Sequence, residues 1–411
     1  MLKKISISIN YINLISCIYL AAASICYTKV QQIGFYFFFI SFFIEIFLDR
    51  KWLKFKLDKG KIYFLVLLLF FLLIFIYHPF EDSNKYFLRL LELRLALFGF
   101  AVVGFFGPNK LYKLEYIANA FIVSSVFAIL FLIFGAVGIK EFIVNPNRAE
   151  LFSQMRILYI NSHLVFNVYL NIALVFCWYY LFKVKNLKYE KVKFPFYIFA
   201  VILIIYILVI SEGRMGILTC ISMSLLIIGV RLWKLKRIYV YFLILLAPFA
   251  MWILINSHKR MSPSELQADP HTIFWNAAID VVEIQPVIGF GASRAQEEFN
   301  TALGKLLTPE YIVNSKEIKV FNCQNQFLHT YMEFGIIGLI LLIYLITKPL
   351  VLAENGRKFL SFLLMFIIAA QFNTEIVLTF QGFPVIFGLL TLMIIILKDE
   401  PADNQLIGNE K

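Results

Sequence analysis

Apolar stretches close to the length a helix needs to cross about 30 Å of hydrocarbon, roughly 20 residues, recur along nearly the whole chain and are joined by charged links. They read at about 5–27, 30–48, 62–78, 87–107, 114–138, 163–182, 194–211, 214–232, 238–256, 327–347, 359–378 and 381–397. Hydrophobic residues make up 61% of the 411, and mean hydropathy is +0.80, so no soluble core accounts for them and the bilayer is the main solvent. In that solvent a helix satisfies every backbone group internally. The expected fold is therefore all-α: a polytopic membrane protein of about 12 transmembrane helices.

Lys and Arg are held on the cytoplasmic side during insertion, and alternate links sort accordingly. One set holds Lys3 and Lys4, Arg50 to Lys61, Lys110 and Lys113, Lys183 to Lys193, Arg231 to Arg237, Lys348 to Lys358, and Lys398 with Lys411, most of the 38 basic residues. Both termini are then expected in the cytoplasm, and the long link 257–326 faces outward. The chain divides into membrane helices over 1–256, this extracytoplasmic loop over 257–326, and membrane helices with a cytoplasmic tail over 327–411. The net charge of +12 reads as a topology signal, which argues against a nucleic-acid partner. Lys3-Lys4 precede an apolar stretch interrupted by Asn10 and Asn13 and lacking a convincing cleavage site, so the first helix is expected to be retained. Cys17, Cys26, Cys177 and Cys220 lie in or beside spans and only Cys323 falls in the loop, which gives neither a disulfide framework nor zinc spacing.

Within the loop, Asp269-Pro270 supplies an N-cap and a first-turn proline, and Ile273, Ala277, Val281 and Ile284 follow at helical spacing. An amphipathic helix is expected over about 270–285, lying on the membrane surface or roofing a cavity. Pro286 ends it, and Gly289 and Gly291 make a turn of permissive backbone. At the far end of the loop the polar pair Gln324-Asn325 opens the tenth span, followed after nine residues by Gly335-x-x-Gly338. Chemistry is expected at this polar helix mouth.

The order Trp275-x-x-Ala278, Pro286-x-x-Gly289-x-Gly291, then Gln324-Asn325-x9-Gly335-x-x-Gly338 resembles the O-antigen ligase and polymerase family. Ser211 to Gly216, reading SEGRMG, resembles the family's Ser-Arg-Gly stretch. These matches cover roughly residues 205–345, and the first half agrees in hydropathy and topology only. The resemblance implies a GT-C-like fold and a metal-independent, inverting glycosyl transfer, without cofactor, at the outer face of a bacterial inner membrane. The implied donor is a glycan on undecaprenyl diphosphate. The acceptor is a sugar hydroxyl on lipid A-core for a ligase, or on another lipid-linked repeat for a polymerase. Two positions depart from the family pattern: Gln324 stands where His is usual, and His271 where Arg is usual. An amide orients a hydroxyl or donates to a phosphate oxygen, but is no general base.

The candidate catalytic residues are Gln324, Asn325, His329 and His271, and the candidate substrate-binding residues are Arg214, Arg156, Arg260 and Arg294. Each has a plainer alternative. Gln324 and Asn325 cap a helix in that reading. His329, one turn below Asn325, is either a base or a packed histidine bonding a neighbouring helix. His271 meets phosphate in the first turn of the loop helix or is solvated. Arg214 binds diphosphate or snorkels to the interface. Arg156, with Arg148 and His163 nearby, is a second anion site, and Lys259, Arg260 and Arg294 touch headgroups, the anionic donor or only water. Within one span, Arg89, Glu92 and Arg94 offer an intrahelical Arg89–Glu92 pair, read as structural. Glu333 and Glu375 are lone carboxylates near helix mouths, each a base or a partner for a neighbouring helix. A glycan-lipid flippase is the rival reading; against it stand the loop rich in site-like groups and the absence of an evident inverted repeat.

Overall fold

The computed structural model describes residues 2–26, 28–49, 56–77, 84–107, 114–138, 140, 163–182, 190–211, 213–238, 271–306, 322–379 and 382–396. Thirteen α-helices form among them. The first eight are α1 (Leu2–Ala23), α2 (Thr28–Leu48), α3 (Lys59–Tyr77), α4 (Asn84–Phe106), α5 (Leu114–Phe131, prolonged by a π turn), α6 (His163–Leu181), α7 (Glu190–Ile210) and α8 (Arg214–Leu235). The loop contributes α9 (His271–Ile284) and α10 (Ala292–Leu306), and α11 (Gln326–Leu352), α12 (Lys358–Phe372) and α13 (Phe383–Ile396) complete the set.

Six of these helices, α2, α3, α5, α7, α8 and α11, are long and apolar enough to cross a membrane, with α1, α6 and α13 shorter apolar helices. The chain is an all-α polytopic membrane protein. The expected span at 238–256 lies outside the described residues apart from its first position. The expected span at 359–378 is a correction: its helix stops at Phe372, and residues 373–379 form a turn and a short 3-10 segment.

Without water to drive helices together, close packing in a bilayer relies on small residues at the crossings. Gly104 meets the ring of Phe64, Gly99 that of Phe35 and Gly388 that of Phe100, each so closely that a Cβ would stand 2.1–2.6 Å from a ring carbon. These contacts hold α4 between α3, α2 and α13. The interior helices are apolar on every face: residues 165–176 of α6 and 383–394 of α13 are buried throughout.

A second, smaller core lies over α11, where Phe274, Ala277, Val281, Ala295, Phe299 and Met332 pack together. The helix expected at 270–285 is present, but its buried stripe runs through Phe274, Ala277, Ala278, Val281 and Val282, while Ile284 is exposed. Ile284, Val287 and Ile288 instead continue an exposed apolar surface formed by Ile336, Ile337 and Ile340 of α11.

Candidate functional site

α11 does not run straight. At Gly335 the backbone has φ 62° and ψ −161°, a conformation open essentially only to glycine, and the helix breaks there. A break in a membrane helix strands carbonyls that have no water to turn to. Here the strap Pro286–Gly291 from the loop fills the gap: Phe290 N–H donates to Met332 O (2.9 Å) and Gly291 N–H to Glu333 O (2.8 Å). In return Ile336 N–H donates to Pro286 O (3.0 Å). The fit depends on two missing side chains, because a Cβ at Gly335 would stand 2.2 Å from Val287 O and one at Gly289 would stand 2.5 Å from Gly335 N. The Pro-x-x-Gly-x-Gly and Gly-x-x-Gly patterns, far apart in sequence, are thus two halves of one joint.

The break isolates a short helix, 326–334, whose mouth carries the polar pair. Asn325 is extended, and its side chain accepts the N–H of Leu328 (3.0 Å), so it caps α11. Its amide nitrogen donates to Asn373 O (3.4 Å) and Gln326 Oε1 accepts the N–H of Leu378 (2.9 Å), which stitches the turn after α12 to the same mouth. Gln324 is the described non-glycine residue with positive φ, at 48°. Its N–H is held by Asn322 Oδ1 (2.9 Å), and its side-chain oxygen is buried with no hydrogen-bond partner among the described residues. An unmatched buried acceptor costs about 1–3 kcal/mol, and a left-handed backbone adds strain. Both unfavourable features fall on the residue the sequence singled out.

His329 lies one turn below, buried, with Nε2 3.2 Å from Glu333 Oε1, within ion-pair distance. Glu333 in turn takes Arg94 Nη2 on both oxygens, at 3.0 and 2.8 Å, and all three side chains are almost wholly withdrawn from solvent. Arg94 also lies over the Phe334 ring, 5.7 Å from its centroid. The expected Arg89–Glu92 pair is replaced by this one. Arg89 and Glu92 face outward, and Glu92 accepts from Gln32 Nε2 (3.1 Å), whereas Arg94 stands about 140° round α4 from Arg89 and meets α11. The lone carboxylate at 333 bonds a neighbouring helix, the second of the alternatives its position allowed.

Of the other candidates, His271 opens α9, half-buried, with its ring edge-on to Trp275 at 6.2 Å between centroids. Arg294 sits in the first turn of α10, largely exposed, above the Phe290 ring (5.8 Å) and 3.7 Å from Glu298. Arg214 is the first residue of α8, after Gly213, whose side-chain position supplies no cap. Gly213 and Gly216 let that first turn press on Asn167 of α6, whose amide nitrogen would be 2.3 and 2.9 Å from a Cβ at each.

A cavity of about 210 Å³ lined by Tyr179, Phe182, Arg231 and Phe359 puts the C-terminal ends of α6 and α8 beside the start of α12. The other end of α12 meets Asn325, so Arg214 stands at the α11-mouth end of the bundle. Arg156 and Arg260, like Arg148 and Lys259, lie outside the described residues. Sequence reading missed the Arg94–Glu333 pairing, for which the only signal was an arginine left over from the Arg89–Glu92 pair and a lone glutamate in a distant apolar stretch. Among the described residues no three His, Cys, Asp or Glu side chains gather as a metal site.

A multi-helix membrane protein with a loop-braced polar mouth on a broken helix is the class that fold and site define. Residues 199–343, from within α7 to beyond the joint in α11, match the family model described as O-antigen ligase, so the chain carries an O-antigen ligase domain over that stretch. Ser211 to Gly216, Trp275, Pro286 to Gly291 and Gln324 to Gly338 all fall inside it. No curated protein matches the chain.

Proposed function

We propose that the protein is an O-antigen ligase-like glycosyltransferase that moves a glycan from undecaprenyl diphosphate to a sugar hydroxyl on lipid A-core. The reaction takes place at the mouth of α11, on the periplasmic face of the inner membrane, with both chain termini cytoplasmic. The observation that carries this reading is Gln324, strained and with an unmatched buried amide oxygen, at the head of a helix inside the family match. A sugar hydroxyl donating to that oxygen satisfies it and aims the hydroxyl's lone pair at the donor's anomeric carbon. The oxygen–carbon bond forms as the bond to diphosphate breaks, inverting the centre, and no metal enters the step. Negative charge grows on the departing diphosphate, where the Arg214 guanidinium and the uncapped N–H groups of α8 stabilise it. Asn325, bonded on both its oxygen and its nitrogen, is a fixed wall of the site.

Deleting the gene in its host and resolving the surface polysaccharide on a gel tests the reading. Loss of polymer from lipid A-core with lipid-linked polymer accumulating is the ligase result. A single capped repeat indicates the repeat-unit polymerase, and an unchanged pattern rejects both. In the purified protein Gln324→Ala lowers transfer by on the order of 100-fold, well beyond what loss of a helix-end contact of about 1 kcal/mol produces. Wild-type turnover in that variant removes Gln324 from the site. A reporter fused at Ser264 that proves cytoplasmic ends the periplasmic assignment.

A further inference from the structure

The reaction proposed above releases a proton from the attacking hydroxyl, and the groups on α11 are poor acceptors for it. Gln324 is an amide and has no basic oxygen to offer. His329 is buried to 1% exposure against Glu333, and both Glu333 oxygens are occupied by Arg94. One carboxylate at this mouth is differently placed. Glu375 lies in the turn between α12 and the 3-10 segment Val377–Thr379, past the end of the helix. That turn is fastened to the mouth on both sides of it, by Asn325 Nδ2 to Asn373 O and by Leu378 N–H to Gln326 Oε1. The next residue, Ile376, packs into the cluster with Phe274, Phe299 and Cys323 that joins the loop helices to α11. Glu375 is thus held between the polar pair and the loop layer, and it is part-exposed.

We propose that the Glu375 carboxylate is the proton acceptor of the glycosyl transfer. As the hydroxyl oxygen bonds the anomeric carbon and the diphosphate departs with the electron pair of the broken bond, the hydroxyl proton passes to a Glu375 oxygen. Glu375 then returns it to solvent. The inference rests on the transfer reaction proposed above. Burial pushes the Glu375 carboxyl up to about 7, the range in which a carboxylate is an efficient base at neutral pH. Burial alone produces the rise: His329 and Glu333 on α11, Arg89, Glu92 and Arg94 on α4, His271, Asp280 and Glu283 on α9, and Arg294 on α10 add no charge effect to it. The active form is the ionised one, so the rate falls as pH drops through about 7.

The test follows undecaprenyl diphosphate release in proteoliposomes holding the full-length protein, lipid-linked glycan extracted from the host, and its lipid A-core. Wild type is expected to show an acid limb near pH 7. Glu375→Gln loses at least about 100-fold in kcat with little change in KM, and its residual rate is flat across that limb. At pH 8 this variant unfolds at the same or a higher temperature than wild type, because it no longer holds a buried charge. Glu375→Asp keeps a carboxylate, recovers part of kcat, and moves the limb to lower pH. A Glu375→Gln protein with the wild-type rate and limb overturns the proposal while leaving the transfer reading intact. Should Glu375→Gln fail to accumulate, an unmoved limb in Glu375→Asp overturns it equally. No release by wild type defeats the transfer reading itself and this proposal with it.

Discussion

α11 is interrupted twice, and the two repairs differ in scale. At Gly335 the chain leaves helical geometry, and a whole strap from another part of the molecule supplies three backbone hydrogen bonds. At Pro349 the helix continues: the proline has no N–H for the carbonyl of Leu345, and a single hydroxyl, Tyr63 Oη of α3, donates to that carbonyl at 3.0 Å. The Pro349 carbonyl in turn accepts from Ser361 Oγ (3.2 Å) and from Ala353 N–H. One side chain is enough where only a hydrogen bond is missing. A strap is required where the helix changes direction, and that costlier arrangement lies under the candidate site. The Gly335 break lets α9, α10 and the polar mouth be built on the bundle as one piece, whereas the Pro349 repair only keeps a helix whole.

The largest effect is expected from closing the space the strap needs. Gly335→Ala forces a Cβ to within 2.2 Å of Val287 O on a backbone that alanine does not adopt, so both strain and lost hydrogen bonds follow. We expect a destabilisation on the order of 4 kcal/mol or more, or failure to accumulate in the membrane. Gly289→Ala, facing it at 2.5 Å from Gly335 N, should behave alike. Gly304→Ala in α10 is the control: nothing lies within 4 Å of its Cβ, so the variant should gain up to about 1 kcal/mol from helix propensity. Detergent-solubilised thermal unfolding separates the three, and a stable Gly335→Ala protein would break the contrast between the two interruptions.

Much of the fold was legible because a bilayer imposes a length and a polarity that single stretches reveal, and each expected span within the described residues has a helix, although the one expected at 359–378 ends at Phe372. The turn at Gly289 and Gly291 was legible for the same local reason, since glycine marks a backbone conformation. Their partner was not: nothing in the strap's own residues says that the Met332 and Glu333 carbonyls await them. Arg94 shows the same limit. The sequence paired Glu92 with Arg89 and named no partner for Arg94, whose partner is 239 residues away on a helix that only packing brings near. In the site, Gln324 and Asn325 stood out by pattern, but that Asn325 is committed on both ends and Gln324 left with an unmatched oxygen is a matter of geometry.

The next largest effect belongs to the ion pair that anchors the short helix between mouth and joint. Removing one partner leaves a buried charge uncompensated, at about 3–5 kcal/mol, so Arg94→Ala should be severely destabilised. Replacing both partners removes the charge altogether, and Arg94→Met combined with Glu333→Leu should recover most of the loss. If the double variant folds like wild type, its transfer rate shows whether His329 needs Glu333. Additive losses in the double variant would mean that the two side chains are not acting as a pair.

The smallest effect sharpens the comparison from its other side. Tyr63→Phe removes the donor to Leu345 O and leaves a buried carbonyl unmatched, which should cost about 1–2 kcal/mol. Pro349→Ala restores the missing N–H four residues along, so the carbonyl regains its ordinary helical partner and Tyr63 becomes dispensable. Pro349→Ala alone should then be neutral or stabilising, and in its background Tyr63→Phe should cost less than about 0.5 kcal/mol. That coupling is read from a double-mutant cycle on unfolding temperatures. A full Tyr63→Phe penalty in the Pro349→Ala protein would show that the hydroxyl serves something other than the proline's missing bond, and the two interruptions would no longer be the same kind of problem solved at different scales.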